Sequence, residues 1–137
     1  MALQCLYAAS LSGGDKEEII AFVASEGDAS PLKEAREYCQ QLLTLTLMRQ
    51  DWADQVIASK LEHWELGRVT LIDRLILELA LVEMVNFVDV PLKVSISEAI
   101  EIAKRYSTDD SPGFINGILD AVYHDILDGK MEINAGC

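Results

Sequence analysis

Positive charge is scarce in this chain. Lysine and arginine total 11 against 23 aspartates and glutamates, for a net charge of −12. Non-specific affinity for nucleic acid comes mainly from cations that neutralise phosphates. This composition therefore argues against a general nucleic-acid binder and fits better with a basic protein partner. Histidine is also rare: His63 and His124 stand alone, and neither has metal-ligand spacing. The cysteines, Cys5, Cys39 and Cys137, are odd in number and unpaired in spacing, so they read as cytosolic thiols and not as disulfides or a metal site. No apolar run reaches about 18 residues, which excludes a transmembrane helix, and no secretory signal is visible at the N-terminus. Gly13-Gly14 lacks a following Lys-Ser or Lys-Thr and so is a turn, not a phosphate loop. No Gly-x-Ser-x-Gly elbow is present either, and the plentiful carboxylates read as solvated helix faces. The chain reads as non-enzymatic.

Alternating strand patterns are almost absent as well, while helical periodicity runs nearly throughout. Half of the 137 residues are hydrophobic, enough for one domain with a sizeable core. The pattern predicts an all-α chain of about seven helices. The first covers about residues 2 to 10. The second opens at Asp15, with Glu18 completing a capping box, and ends near Gly27. Ser30-Pro31 starts a third helix to about Arg49, and a fourth from Gln50 to His63 has no breaker separating it from the third. Thr70 caps the fifth, which is apolar on most sides and so is the central, buried helix. Ser95 and Glu98 read as a capping box for the sixth, to about Tyr106. Ser111-Pro112 opens the seventh, which Gly129 ends after about Leu127.

Two blocks stand out. One is Pro91 to Lys104; the other is Phe114-Ile115-Asn116-Gly117-Ile118-Leu119-Asp120, which carries Asn and Gly where a helix gains nothing from them. Tyr7, Tyr106 and Phe114 fall at or beside helix ends around these blocks. Such aromatics either stack on unpaired bases or plug the core, and spacing alone leaves both readings open. Lys93, Lys104, Arg105 and Arg74 are the nearby sources of phosphate contacts.

The blocks resemble the signature of the NusB family. Leu3-Gln4-Cys5-Leu6-Tyr7 is similar to its first-helix motif, Asp73-Arg74 to the pair on its central helix, Pro91 to Lys104 to its Pro-x-Lys-Val-x-Ile-x-Glu-Ala block, and Phe114 to Asp120 to its Phe-Val-Asn-Gly-Val-Leu-Asp block. The resemblance implies an all-helical fold in two packed subdomains, about 1–64 and 65–137. It implies a cytoplasmic transcription antitermination factor, monomer or homodimer, with no cofactor. Such a factor binds single-stranded boxA-like leader RNA with the ribosomal protein NusE and joins the RNA polymerase elongation complex. Carried over residue by residue, Tyr7, Arg74 and Tyr106 match positions on the RNA path, while Asp73, Asp110 and Phe114 match positions facing NusE. Asn116 and Gly117 are assigned to packing, with Gly117 admitting a close helix. The chain also departs from the pattern. It has no basic residue before Lys16, where the family carries an arginine-rich segment, and Glu78, Gly113 and Ser97 stand where Arg, Lys and Asn are common. That depletion of cations supports a second reading, a protein-interaction scaffold that has lost RNA binding.

Overall fold

The structure, a computed structural model, describes residues 33–61 and 66–131. The two helices expected before residue 30, Tyr7, His63 and the tail lie outside the described residues. The chain divides into two compact units, Met1–Gln50 and Asp51–Cys137. Five α-helices and no strand are present among the described residues.

In the first unit, α1 spans Lys33–Met48 and buries Leu43 and Thr46. The Thr46 hydroxyl donates back to the Leu42 carbonyl at 2.7 Å, the usual way a helix accommodates a buried threonine. The next helix is not continuous with it. The Arg49 N–H divides between the carbonyls of Leu45 and Thr46, at 3.0 and 3.2 Å, and the α-helical ladder restarts at Gln50.

In the second unit, α2 (Gln50–Lys60) contributes buried Ala53 and Ile57, one turn apart. A 3-10 turn, Leu66–Arg68, leads into α3 (Leu71–Asn86). Thr70 caps α3 as expected, accepting from the Asp73 N–H at 3.3 Å. Every residue from Leu75 to Asn86 is buried, so α3 is the central helix that its apolar sequence requires. Helices α4 (Leu92–Tyr106) and α5 (Ser111–Leu127) pack on α3 and on each other. The buried ridge of α4 is Ser95, Ala99 and Ala103, spaced by four, and its small side chains allow close helix contact. From α5 come Ile115, Ile118, Leu119 and Val122. An ion pair between Lys60 and Asp125 links the end of α2 to α5. Gly129 adopts φ +75°, the left-handed turn that ends α5, with the Lys130 N–H returning to the Asp125 carbonyl at 2.8 Å.

Ser95 is not the cap that its sequence context suggests, while Ser111-Pro112 opens α5 as expected. Helix α4 begins at Leu92, with Pro91 in the cap position at φ −57°. The Pro91 carbonyl accepts from Val94 and Ser95, so Ser95 already lies in the helix and its side chain is buried. Asp110, not Ser111, precedes α5, and Ser111 is its first helical residue. The assignment of Asn116 and Gly117 to packing also fails. Both are exposed, and a Cβ built on Gly117 would meet no described atom within 4 Å.

Candidate partner-docking site

Helix α3 carries three acids among its apolar residues: Asp73, Glu78 and Glu83, at 6%, 1% and 7% exposure. Buried carboxylates require partners: Asp73 and Glu83 find theirs on other elements, and Glu78 lies beside a cation of its own helix. Glu83 accepts from the Ser95 hydroxyl of α4 at 2.6 Å. Glu78 lies with Oε2 3.8 Å from Arg74 Nε. Asp73 takes both partners from the α4–α5 connection: Ser107 Oγ donates to Oδ1 at 2.6 Å, and Ser111 Oγ donates to Oδ2 at 2.8 Å. Three serines, Ser95, Ser107 and Ser111, thus serve acids on α3.

This connection forms one wall of a hollow of about 280 Å³, lined by Arg68, Val69, Thr70, Asp73, Thr108, Asp110, Ser111 and Phe114. All three residues expected to face the protein partner, Asp73, Asp110 and Phe114, meet here. They do so because the first turn of α3 and the first turn of α5 are tied together. Phe114 is half-buried, one turn into α5. Asp110 is exposed, and its carboxylate makes no capping bond to α5. The chemistry offered is an aromatic wall with an exposed negative charge at its edge, which suits an apolar residue flanked by cations.

The residues expected on the RNA path are placed differently. Tyr106 ends α4 and is 51% exposed, so its ring is not a core plug. Lys104 and Arg105 beside it are exposed in the same last turn, a favourable place for cations at a helix C-terminus. Arg74 is bound to α2, with Nη2 2.5 Å from Asp54 Oδ2 and Nε 3.2 Å from Asp54 Oδ1. Burial pushes the Asp54 carboxyl up. A hydrogen bond from Glu78, the bond from Arg74 and the Arg74 charge outweigh it, and the net direction is down. The hydrogen bond to Asp54 holds the guanidinium pKa above its ordinary value. Lys93 spends part of its charge over the Tyr123 ring, 5.9 Å from the centroid.

Sequence reasoning missed Ser107 and Thr108. Their signal was present: an apolar helix carrying an acid in its first turn needs hydroxyl donors elsewhere in the chain. Among the described residues no group of three or more His, Cys, Asp or Glu side chains is placed to hold a metal ion. No described helix is long and apolar enough to cross a membrane.

Comparison with known proteins agrees with the sequence signature. The model of the NusB family matches residues 1–124. The transcription antitermination protein NusB of Salinibacter ruber is 40% identical over 127 residues, covering 92% of this chain and 78% of that protein. The solved structure of T. maritima NusB superposes with a TM-score of 0.81 at 32% identity, covering 90% of this chain and 86% of that one. A crystal structure of the antitermination factors NusB and NusE in complex with dsRNA shares the fold, with a TM-score of 0.79 at 24% identity and 90% of each chain covered.

Proposed function

The chain belongs to the NusB family, and from that premise we propose that it is a non-enzymatic, cytoplasmic transcription antitermination factor. It binds boxA-like leader RNA together with the ribosomal protein NusE and joins the RNA polymerase elongation complex. The observation that carries the reading is the convergence of Asp73, Asp110 and Phe114 on one hollow. Those positions were chosen from the signature alone, and they are separated by up to 41 residues in sequence (114 minus 73). A solved NusB relative is named in complex with NusE and RNA, which supports the choice of partners. The RNA surface in this reading comprises Tyr7, Tyr106 and Arg74, with the exposed Lys104 and Arg105 supplying charge.

A second reading has its own support. The net charge is −12, and Arg74 is already held by Asp54 and faces Glu78. A chain with so little free positive charge suits a scaffold that keeps the protein partner and has lost the RNA. Gel filtration of the chain with equimolar NusE and a labelled boxA-like RNA separates the two. Co-elution of all three supports the antitermination factor. A protein pair without RNA supports the scaffold. Absence of any complex with NusE contradicts both.

A further inference from the structure

One wall of the hollow is tied by a small, partly buried network of hydroxyls around Asp73. Ser107 spends its hydroxyl proton on Asp73 Oδ1, and Ser111 spends its own on Asp73 Oδ2. Ser111 Oγ, left as an acceptor, lies 2.9 Å from Thr108 Oγ1 and 3.3 Å from the Thr108 N–H, which supply the protons it needs. Ser107 Oγ and Ser111 Oγ also lie 2.8 Å apart, within hydrogen-bond distance, and either hydroxyl can donate to the other. Two of these hydroxyls, Ser107 and Ser111, donate to Asp73. The network joins the last residue before the α4–α5 turn, the first residue of α5 and the first turn of α3.

From this arrangement we infer that Asp73, Ser107 and Ser111 are positioning residues. They set the pose of the first turn of α5, so that the basic partner is met by Asp110 and Phe114 and not by the Asp73 carboxylate. The inference rests on the proposed binding of NusE and divides the acidic surface into two roles. Asp73 is 6% exposed with both oxygens engaged, so a partner cation reaches it only by breaking the network. Asp110 is exposed and free of any capping bond. Ser111 lies between Asp110 and Phe114 in sequence, and the Phe114 N–H donates to the Asp110 carbonyl at 3.2 Å. A shift of Ser111 therefore moves the charge and the ring together.

The test measures NusE affinity at several salt concentrations for the full chain and for Asp110→Asn, Asp73→Asn and Ser111→Ala. Amide hydrogen exchange at Phe114 is followed in the absence of partner. An exposed charge that meets a cation loses its effect in salt, and a buried one acting through geometry does not. The expected result is weaker binding in all three variants, with Asp73→Asn and Ser111→Ala each down on the order of tenfold. Only Asp110→Asn flattens the salt dependence. Exchange at Phe114 quickens in Asp73→Asn and Ser111→Ala, and Ser111→Thr, which keeps the donor, restores both readouts. A flattened salt dependence in Asp73→Asn, or unchanged affinity and exchange in Ser111→Ala, overturns the inference. If the parent chain does not bind NusE, the functional reading fails by itself, and Phe114 exchange alone then decides whether the network positions the turn.

Discussion

Arg74 on α3 and Asp54 on α2 form a two-pronged ion pair, with Nη2 to Oδ2 at 2.5 Å and Nε to Oδ1 at 3.2 Å. The pair anchors α2 to the central helix. It also occupies the one cation of the proposed RNA surface that lies on α3. Phosphate and Asp54 compete for the same guanidinium face.

Asp54→Asn should therefore strengthen RNA binding in the presence of NusE. One phosphate contact regained on a single strand steepens the fall of log affinity with log salt by about 0.7. Anisotropy titrations at several salt concentrations give the slope. An unchanged slope would mean that Arg74 does not contact phosphate.

The same pair has a pH signature. The folded state holds the Asp54 carboxyl below its ordinary value. Its stabilising effect is therefore present above the unfolded aspartate pKa, roughly 3.9, and is lost as pH falls through the lower folded pKa. Denaturant unfolding at a series of pH values should show the parent more stable than Asp54→Asn near neutrality. The gap should close as pH falls below the unfolded aspartate value, roughly 3.9, and through the lower folded one. A gap that is constant with pH would contradict a lowered Asp54 carboxyl, which the Glu78 hydrogen bond lowers ahead of the Arg74 bond and charge.

Phe114→Ala tests the hollow. An aromatic anchor at the centre of an interface typically contributes about 2 kcal/mol or more, so NusE affinity should fall at least roughly thirtyfold. Stability should change less than for a fully buried residue such as Leu77, since Phe114 is only half-buried. Calorimetric titration with thermal melting in parallel separates the two effects.

Gly117→Ala tests the exposed face of α5. No described atom lies within 4 Å of the added methyl, and an exposed helical glycine costs about 0.5–1 kcal/mol against alanine. The variant should be more stable by up to that amount in denaturant unfolding. Destabilisation would show that another group packs there.

The helices from Lys33 to Leu127 were legible because apolar periodicity and breakers agree: Thr70 caps α3, α3 is apolar on most sides, and Gly129 ends α5. The misplaced cap at Ser95 has a physical origin. A serine followed by a glutamate three residues on looks like a local cap, yet Ser95 satisfies Glu83 across a helix interface. Ser111 likewise satisfies Asp73, 38 residues away in sequence. A local pattern does not reveal that a buried acid elsewhere competes for the same hydroxyl. The proposed partner-facing set rests on the family signature, since neither Asp110 nor Phe114 has a spacing that marks it. The engagement of Arg74 by Asp54 was not legible, because it depends on how α2 and α3 meet within the second unit.

The most direct measurement is fluorescence anisotropy of a labelled boxA-like RNA titrated with the chain, with and without equimolar NusE, at two salt concentrations. The proposed function predicts weak binding by the chain alone and tight, salt-sensitive binding once NusE is present. A stable complex with NusE that leaves the RNA free at both salt concentrations would contradict it.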